Sequence, residues 1–223
     1  MLPRAWPSPA SEQTDSTWSK NRLQQKGIGI KMLRMALFNY FLNRNLAHVK
    51  RFNNRPLLFP ESVAEHSFYV AHFTQLICWL LEKKKVGVDT KKAISMALIH
   101  DSEEGFSGDI LNPFKHFNEK IASAIREVNE ETIGLMFEDL PKEISKDLID
   151  LWHEEQKRES IESQVVKLAD SLSLLSKCFE EIEAGNSNFH EIYRKEIKAI
   201  TSLKYPWFSK IKDTILAGSS LQI

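Results

Sequence analysis

The stretch Ala97-Leu98-Ile99-His100-Asp101-Ser102-Glu103-Glu104-Gly105-Phe106-Ser107-Gly108-Asp109 decides how the rest of this chain is read. An apolar helical pattern that begins at Asp89-Thr90 runs into a His-Asp pair, two more acids and a glycine-loosened loop. Neighbouring residues of a helix point about 100° apart. His100 and Asp101 therefore share a target only if it is one object at the helix end, and a metal ion is such an object. Glu104 follows His100 by four residues and Asp101 by three, so a continued turn sets its carboxylate beside them. Gly105 and Gly108 permit a sharp bend that brings Asp109 back. Packing alone does not account for so many ionisable groups beside Ala97-Leu98-Ile99, because burying unpaired charge is costly.

Outward from this stretch the period is helical throughout. Upstream, Ser62 and Glu65 have the spacing of a capping box opening a helix that runs to about Leu81 and ends in Lys83-Lys84-Lys85. Before it, Met32, Met35, Leu37, Phe38, Phe41, Leu42 and Leu46 predict a helix from Ile30 to Val49, followed by a polar loop around Arg51, Arg55 and Pro56. Downstream, one helix follows Pro113 through Met136, and another opens at Pro141 and stops near His153. A third carries Val165, Leu168, Leu172, Leu175, Phe179 and Ile182, with Gly185 as its stop. Helical patterns at 190–201 and 206–217 complete the chain. Strand alternation and hairpin dipeptides are nearly absent, and there is no internal repeat. The expectation is an all-α, single-domain bundle of about six to eight helices. Residues 1–28, with Pro3, Pro7, Pro9, Trp6 and Trp18, read as a loose N-terminal extension to a domain at 29–223.

The chain has 223 residues, 30 of them basic and 30 acidic, for zero formal net charge. That balance argues against a nucleic-acid polymer or a membrane surface as partner. Cys78 and Cys178 both lie in apolar helical patterns and read as buried hydrophobes of a reducing, cytoplasmic protein.

Three segments set candidate ligands into core-forming helices: His66, the pair His100-Asp101, and Asp170 in Val165-Val-Lys-Leu-Ala-Asp170. Two imidazoles and two carboxylates balance one divalent cation and leave positions for water and a substrate oxygen, an arrangement suited to metal-assisted hydrolysis. Taken singly, His66 is more often a satisfied core histidine, and Asp170 suits an ion pair with Lys167. His72 reads as solvent-exposed or a helix partner, His116, His153 and His190 show no metal spacing among them, and Glu154-Glu155 read as surface acids.

The ordered set Ser62-Val-Ala-Glu-His66-Ser, His100-Asp-Ser-Glu-Glu104, Ser107-Gly-Asp109 with Pro113 and Lys115, Val166-Lys-Leu-Ala-Asp170, and Lys177-Cys-Phe-Glu-Glu-Ile-Glu-Ala-Gly-Asn186 resembles the HD-domain phosphohydrolases, nearest their bacterial 5′-deoxynucleotidase branch. The resemblance spans roughly residues 30–200. It implies an HD-type helical domain that binds one divalent ion (Mn²⁺, Co²⁺, Fe²⁺ or Zn²⁺) through His66, His100, Asp101 and Asp170. Glu104 and Asp109 match the catalytic acids, and Glu103 reads as a bystander. Arg51 matches an arginine that contacts the nucleotide, with Arg55 as its competitor; Lys115 stands at the loop rim, where a solvated lysine is the simpler reading. Phe52 departs from the family's tryptophan, whose ring helps reject ribonucleotides; it keeps an aromatic wall without the indole N–H.

The activity implied is release of phosphate from a (deoxy)nucleoside 5′-monophosphate by a homodimeric enzyme. Two alternatives stay open: a (deoxy)nucleoside triphosphohydrolase on the same site, and a non-catalytic, metal-stabilised helical module that binds nucleotide or a partner protein.

Overall fold

The computed structural model describes residues 37–217. The expected N-terminal extension, including Trp6 and Trp18, and the first residues of the helix expected from Ile30 lie outside the described residues.

Within them that first helix is shorter than its apolar pattern suggests. α1 covers Leu37–Leu42 and is followed only by a 3₁₀ turn, Asn45–Ala47. The Asn43 side chain accepts the Asn45 backbone N–H at 3.0 Å, offering the chain a local alternative to the helical ladder.

Three helices form the frame. α2 (Val63–Lys83) starts at the expected capping box: Ser62 Oγ accepts from the Glu65 N–H, and the Glu65 carboxylate accepts from the Ser62 N–H at 2.7 Å. α3 (Thr90–Ile99) is capped by Asp89, which accepts the Lys92 N–H at 2.9 Å, and ends at His100. The next segments, α4 (Glu104–Ser107) and α5 (Asn112–Lys115), are single turns. α6 (Glu119–Met136) and α7 (Lys142–Lys157) follow, and then α8 (Ile161–Glu183), which Ser160 caps and Gly185 terminates with φ +95°. α2, α3 and α8 pack against one another. They enclose a core that includes Val70, Leu81, Met96, Val165, Leu168 and both cysteines. Full burial of such aliphatic side chains stabilises by about 1.5–3 kcal/mol each.

A smaller cluster of Ile99, Ile133, Phe137, Leu140 and Trp152 seats α6 and α7 beneath the His-Asp turn. α7 runs past the stop expected near His153 and ends at Arg158, whose φ of +56° is left-handed. After α9 (His190–Thr201), the helix expected at 206–217 is instead a 3₁₀ turn, Phe208–Lys210, and the short α10 (Lys212–Leu216). Phe208 and Ile211 plug the core there, and Trp207 Nε1 donates to Gln164 Oε1 at 2.8 Å.

Six of these helices have ten residues or more, and no strand is present among the described residues. None of the described helices is long and apolar enough to cross a membrane.

Candidate metal centre and active site

The frame helices deliver the candidate ligands to one point. His66 lies in the first turn of α2, His100 and Asp101 at the end of α3, and Asp170 midway along α8. Nε2 of His66 stands 3.2 Å from Asp170 Oδ1 and 3.6 Å from Asp101 Oδ2, while Nε2 of His100 stands 3.1 Å from Asp101 Oδ2. Both Nε2 atoms are buried and lack the alignment of a hydrogen bond to any neighbour. Donors each about 2.1 Å from a common ion stand about 3–3.5 Å apart, so this spacing suits one cation. His66, His100 and Asp101 form a cluster able to hold a metal ion, and Asp170 borders it.

The electrostatics agree with a cation site. Burial works against a charged His100 ring, yet the adjacent Asp101 carboxylate outweighs it and pushes the pKa up to about 10. Burial also opposes ionised Asp170, but Lys167 and the two imidazoles hold its carboxyl well below the usual range. The pocket draws positive charge inward, the field that holds a divalent ion. His100 Nδ1 lies 2.8 Å from the Ala97 carbonyl oxygen and donates to it, so that the ring, once an incoming cation displaces its other proton, presents the Nε2 lone pair to the cluster. The ion pair expected of Asp170 is present, its other oxygen lying 2.7 Å from Lys167 Nζ, and Oδ1 is left facing His66.

Glu104 is 5 % exposed. Burial, with Asp101 and Asp109 adding to it, lifts its pKa to about 8 against the opposing charge of Lys115. Lys115 Nζ lies 3.1 Å from Glu104 Oε1, so it is a partner of that acid and not a solvated lysine. The two glycines divide the work expected of both. Gly108 takes φ +73° to make the turn. Gly105 is helical, and a Cβ there would come within 2.8 Å of Met136 Cε.

Arg51 and Phe52 ride on a loop pinched shut at its base: Arg51 N donates to Glu61 O at 3.0 Å, and Val63 N to Val49 O at 3.0 Å. The far side of the loop is tied to α8 and the turn after it. The Glu181 carboxylate accepts the N–H groups of Leu58 and Phe59 at 2.9 Å each, and Asn186 Nδ2 donates to Pro56 O at 3.1 Å. Lys177 Nζ also donates to Phe59 O. Arg51 Nη1 consequently reaches Glu61 Oε2 at 2.6 Å and His66 Nδ1 at 2.8 Å. Phe52 has φ +55°, unusual for an aromatic residue and costly. Its N–H donates to Asp109 Oδ2 at 3.2 Å, and Asn53 Nδ2 donates to Asp109 O at 3.0 Å. These bonds lock the Asp109 loop against the Arg51 loop. Arg55 lies over the Phe189 ring at 5.6 Å, and Phe189 meets Phe52 edge-on.

Several buried groups had no sequence signal that singled them out. Glu103 is buried and accepts from Trp152 Nε1 at 2.9 Å; burial beside Asp101 raises its pKa to about 7. Glu155 is 2 % exposed, not a surface acid, because the extended α7 turns it inward; Glu154 pairs with Lys92 at 2.6 Å. Ser173, three residues beyond Asp170 on the same face of α8, puts Oγ 3.0 Å from His66 Nδ1. His72 is exposed and stacks on Phe68, as a residue outside the site.

Comparison with known proteins gives one answer. The chain matches the YfbR-like 5′-deoxynucleotidase family over residues 37–217. It is similar to a 5′-deoxynucleotidase of Yersinia pestis, 33% identical over 183 residues that cover 80% of this chain and 92% of the relative. A 5′-deoxynucleotidase of Vibrio parahaemolyticus is 33% identical over 150 residues, covering 65% of this chain and 76% of the relative. Among solved structures, an HD-domain phosphohydrolase of Listeria innocua superposes with a TM-score of 0.71 at 26% identity, covering 82% of this chain and 87% of that one. A chain with this helical frame, this cluster and these matches belongs to the YfbR-like 5′-deoxynucleotidase family of HD-domain phosphohydrolases.

Proposed function

We propose that this protein is a divalent-metal-dependent phosphomonoesterase that releases phosphate from (deoxy)nucleoside 5′-monophosphates. The observation that carries the reading is the pair of buried, unaligned imidazole Nε2 atoms facing two carboxylates. Core histidines find hydrogen-bond partners; these two suit a cation instead. His66, His100, Asp101 and Asp170 would hold it, and imidazole with carboxylate suits Mn²⁺, Co²⁺, Fe²⁺ or Zn²⁺. When bound, such an ion polarises a phosphoryl oxygen and acidifies its water.

The remaining work falls to the chain. Glu104, with a pKa near 8, and Asp109, held by Phe52 N–H, between them take the proton of the attacking water and protonate the leaving oxygen. Arg51 offers its planar fork to the phosphate, and Lys115 keeps Glu104 in place. The Phe52 ring, backed by Phe189, forms the aromatic wall beside the sugar.

Phosphate release from the four deoxynucleoside and four ribonucleoside monophosphates, measured on chelator-stripped protein with each metal restored in turn, tests the proposal. Metal-dependent release from at least one monophosphate is expected. Release of triphosphate from dATP, with monophosphates inert, would move the activity to the triphosphohydrolase alternative. No turnover of either would leave only a binding module.

A further inference from the structure

Two groups converge on Nδ1 of His66: Arg51 Nη1 at 2.8 Å and Ser173 Oγ at 3.0 Å. A neutral imidazole nitrogen bears either a hydrogen or a lone pair, and arginine has donors only. An Nδ1 that accepts from Arg51 therefore forces the hydrogen onto Nε2, which then has nothing to give a cation. An Nε2 that ligates leaves the hydrogen on Nδ1, where the Ser173 hydroxyl, unlike a guanidinium, can accept it.

His100 has no such ambiguity. Its Nδ1 faces the carbonyl of Ala97, an acceptor under all conditions. Ser173 is 1 % exposed and sits one turn beyond Asp170, so α8 supplies both a candidate ligand and the group that orients another.

We infer that Ser173 is a positioning residue that fixes His66 in the tautomer able to bind metal, and that metal binding frees Arg51 from His66 for the substrate phosphate. Glu61, 2.6 Å from Arg51 Nη1, keeps hold of the guanidinium meanwhile. The inference rests on the metal-centre reading above and adds the order of events: metal first, then the arginine. Outer groups that orient ligating histidines typically contribute 10–100-fold to metal affinity.

Titration of chelator-stripped protein with Mn²⁺ and with Zn²⁺ by calorimetry tests it. Ser173→Ala is expected to bind each metal about 10–100-fold more weakly than wild type, and Ser173→Thr, which keeps the hydroxyl, within about threefold of wild type. Nitrogen-15 histidine NMR of the Zn²⁺-loaded wild type is expected to show the His66 hydrogen on Nδ1, a readout independent of how well any variant folds. A hydrogen on Nε2 in that spectrum, or Ser173→Ala affinity within threefold of wild type, overturns the role of Ser173. Failure of the wild type to bind either metal overturns the metal centre itself, and the inference with it.

Discussion

At the scale of single residues, the site is a set of acids whose environments differ. Glu104 is buried beside Asp101 and Asp109 and keeps its proton to about pH 8, whereas Lys115 pulls the other way. Replacing Glu104 with Gln keeps the shape and the Lys115 contact but removes the titrating proton. We expect kcat to fall by about 10²–10⁴-fold with metal affinity little changed, read from steady-state rates beside calorimetry. Lys115→Met removes the charge that lowers the Glu104 pKa. The corresponding limb of the kcat/KM profile should therefore move to higher pH; a move to lower pH would contradict the pairing. The cysteines show the opposite use of burial. It pushes the thiols of Cys78 and Cys178 up to about 11 and about 12. Both should resist alkylation in the native protein and label promptly in denaturant.

At the scale of elements, the Arg51 loop depends on α8 as much as on its own turns. The Glu181 carboxylate is fully buried. Burial alone would raise its pKa, but the Leu58 N–H, Asn186, the Phe59 N–H and Lys177 more than reverse that and hold it at about 2. The folded pKa is thus below the ordinary glutamate value of 4.5. The stabilisation is fully present above about pH 4.5 and is lost as pH falls toward about 2. Glu181→Gln should cost about 2 kcal/mol at neutral pH. It should also flatten the acid limb of a plot of Tm against pH and raise KM, because the loop carrying Arg51 and Phe52 loosens. An unchanged KM would mean the anchor serves stability alone. Capping matters similarly at α2: Ser62→Ala leaves the first turn, where His66 sits, short of an acceptor and should cost about 1 kcal/mol.

At the scale of the whole molecule, a cation would pin α2, α3 and α8 together from the inside, where three mutually packed helices converge. A ligand that binds only the native state stabilises it by mass action, by about 2.7 kcal/mol at a concentration 100 times its Kd. Chelation should therefore lower Tm by several degrees in wild type, but have little effect in Asp170→Asn if that carboxylate completes the site. Equal chelator sensitivity in the two proteins would remove Asp170 from the ligand set.

Much of this architecture was legible in the chain because helix formation is read locally. Period, caps and stops at Ser62, Asp89 and Gly185 involve residues a few positions apart, and the ligand-bearing motifs stand out as charge inside apolar periodicity. Local signals failed where an element's end depended on distant packing. α7 outran His153 and drew Glu155 inside, and Asn43 cut short a helix whose apolar pattern continued. Tertiary structure alone decided which polar groups meet: Glu103 with Trp152 across 49 positions, Phe52 with Asp109 across 57, and His66 with Ser173 across 107. The physical reason is that a buried polar atom must find its partner wherever the packed helices bring one. Local pattern dictates an all-α frame and its candidate ligands; the packing of α2, α3 and α8 brings those candidates together and sets which neighbours orient them.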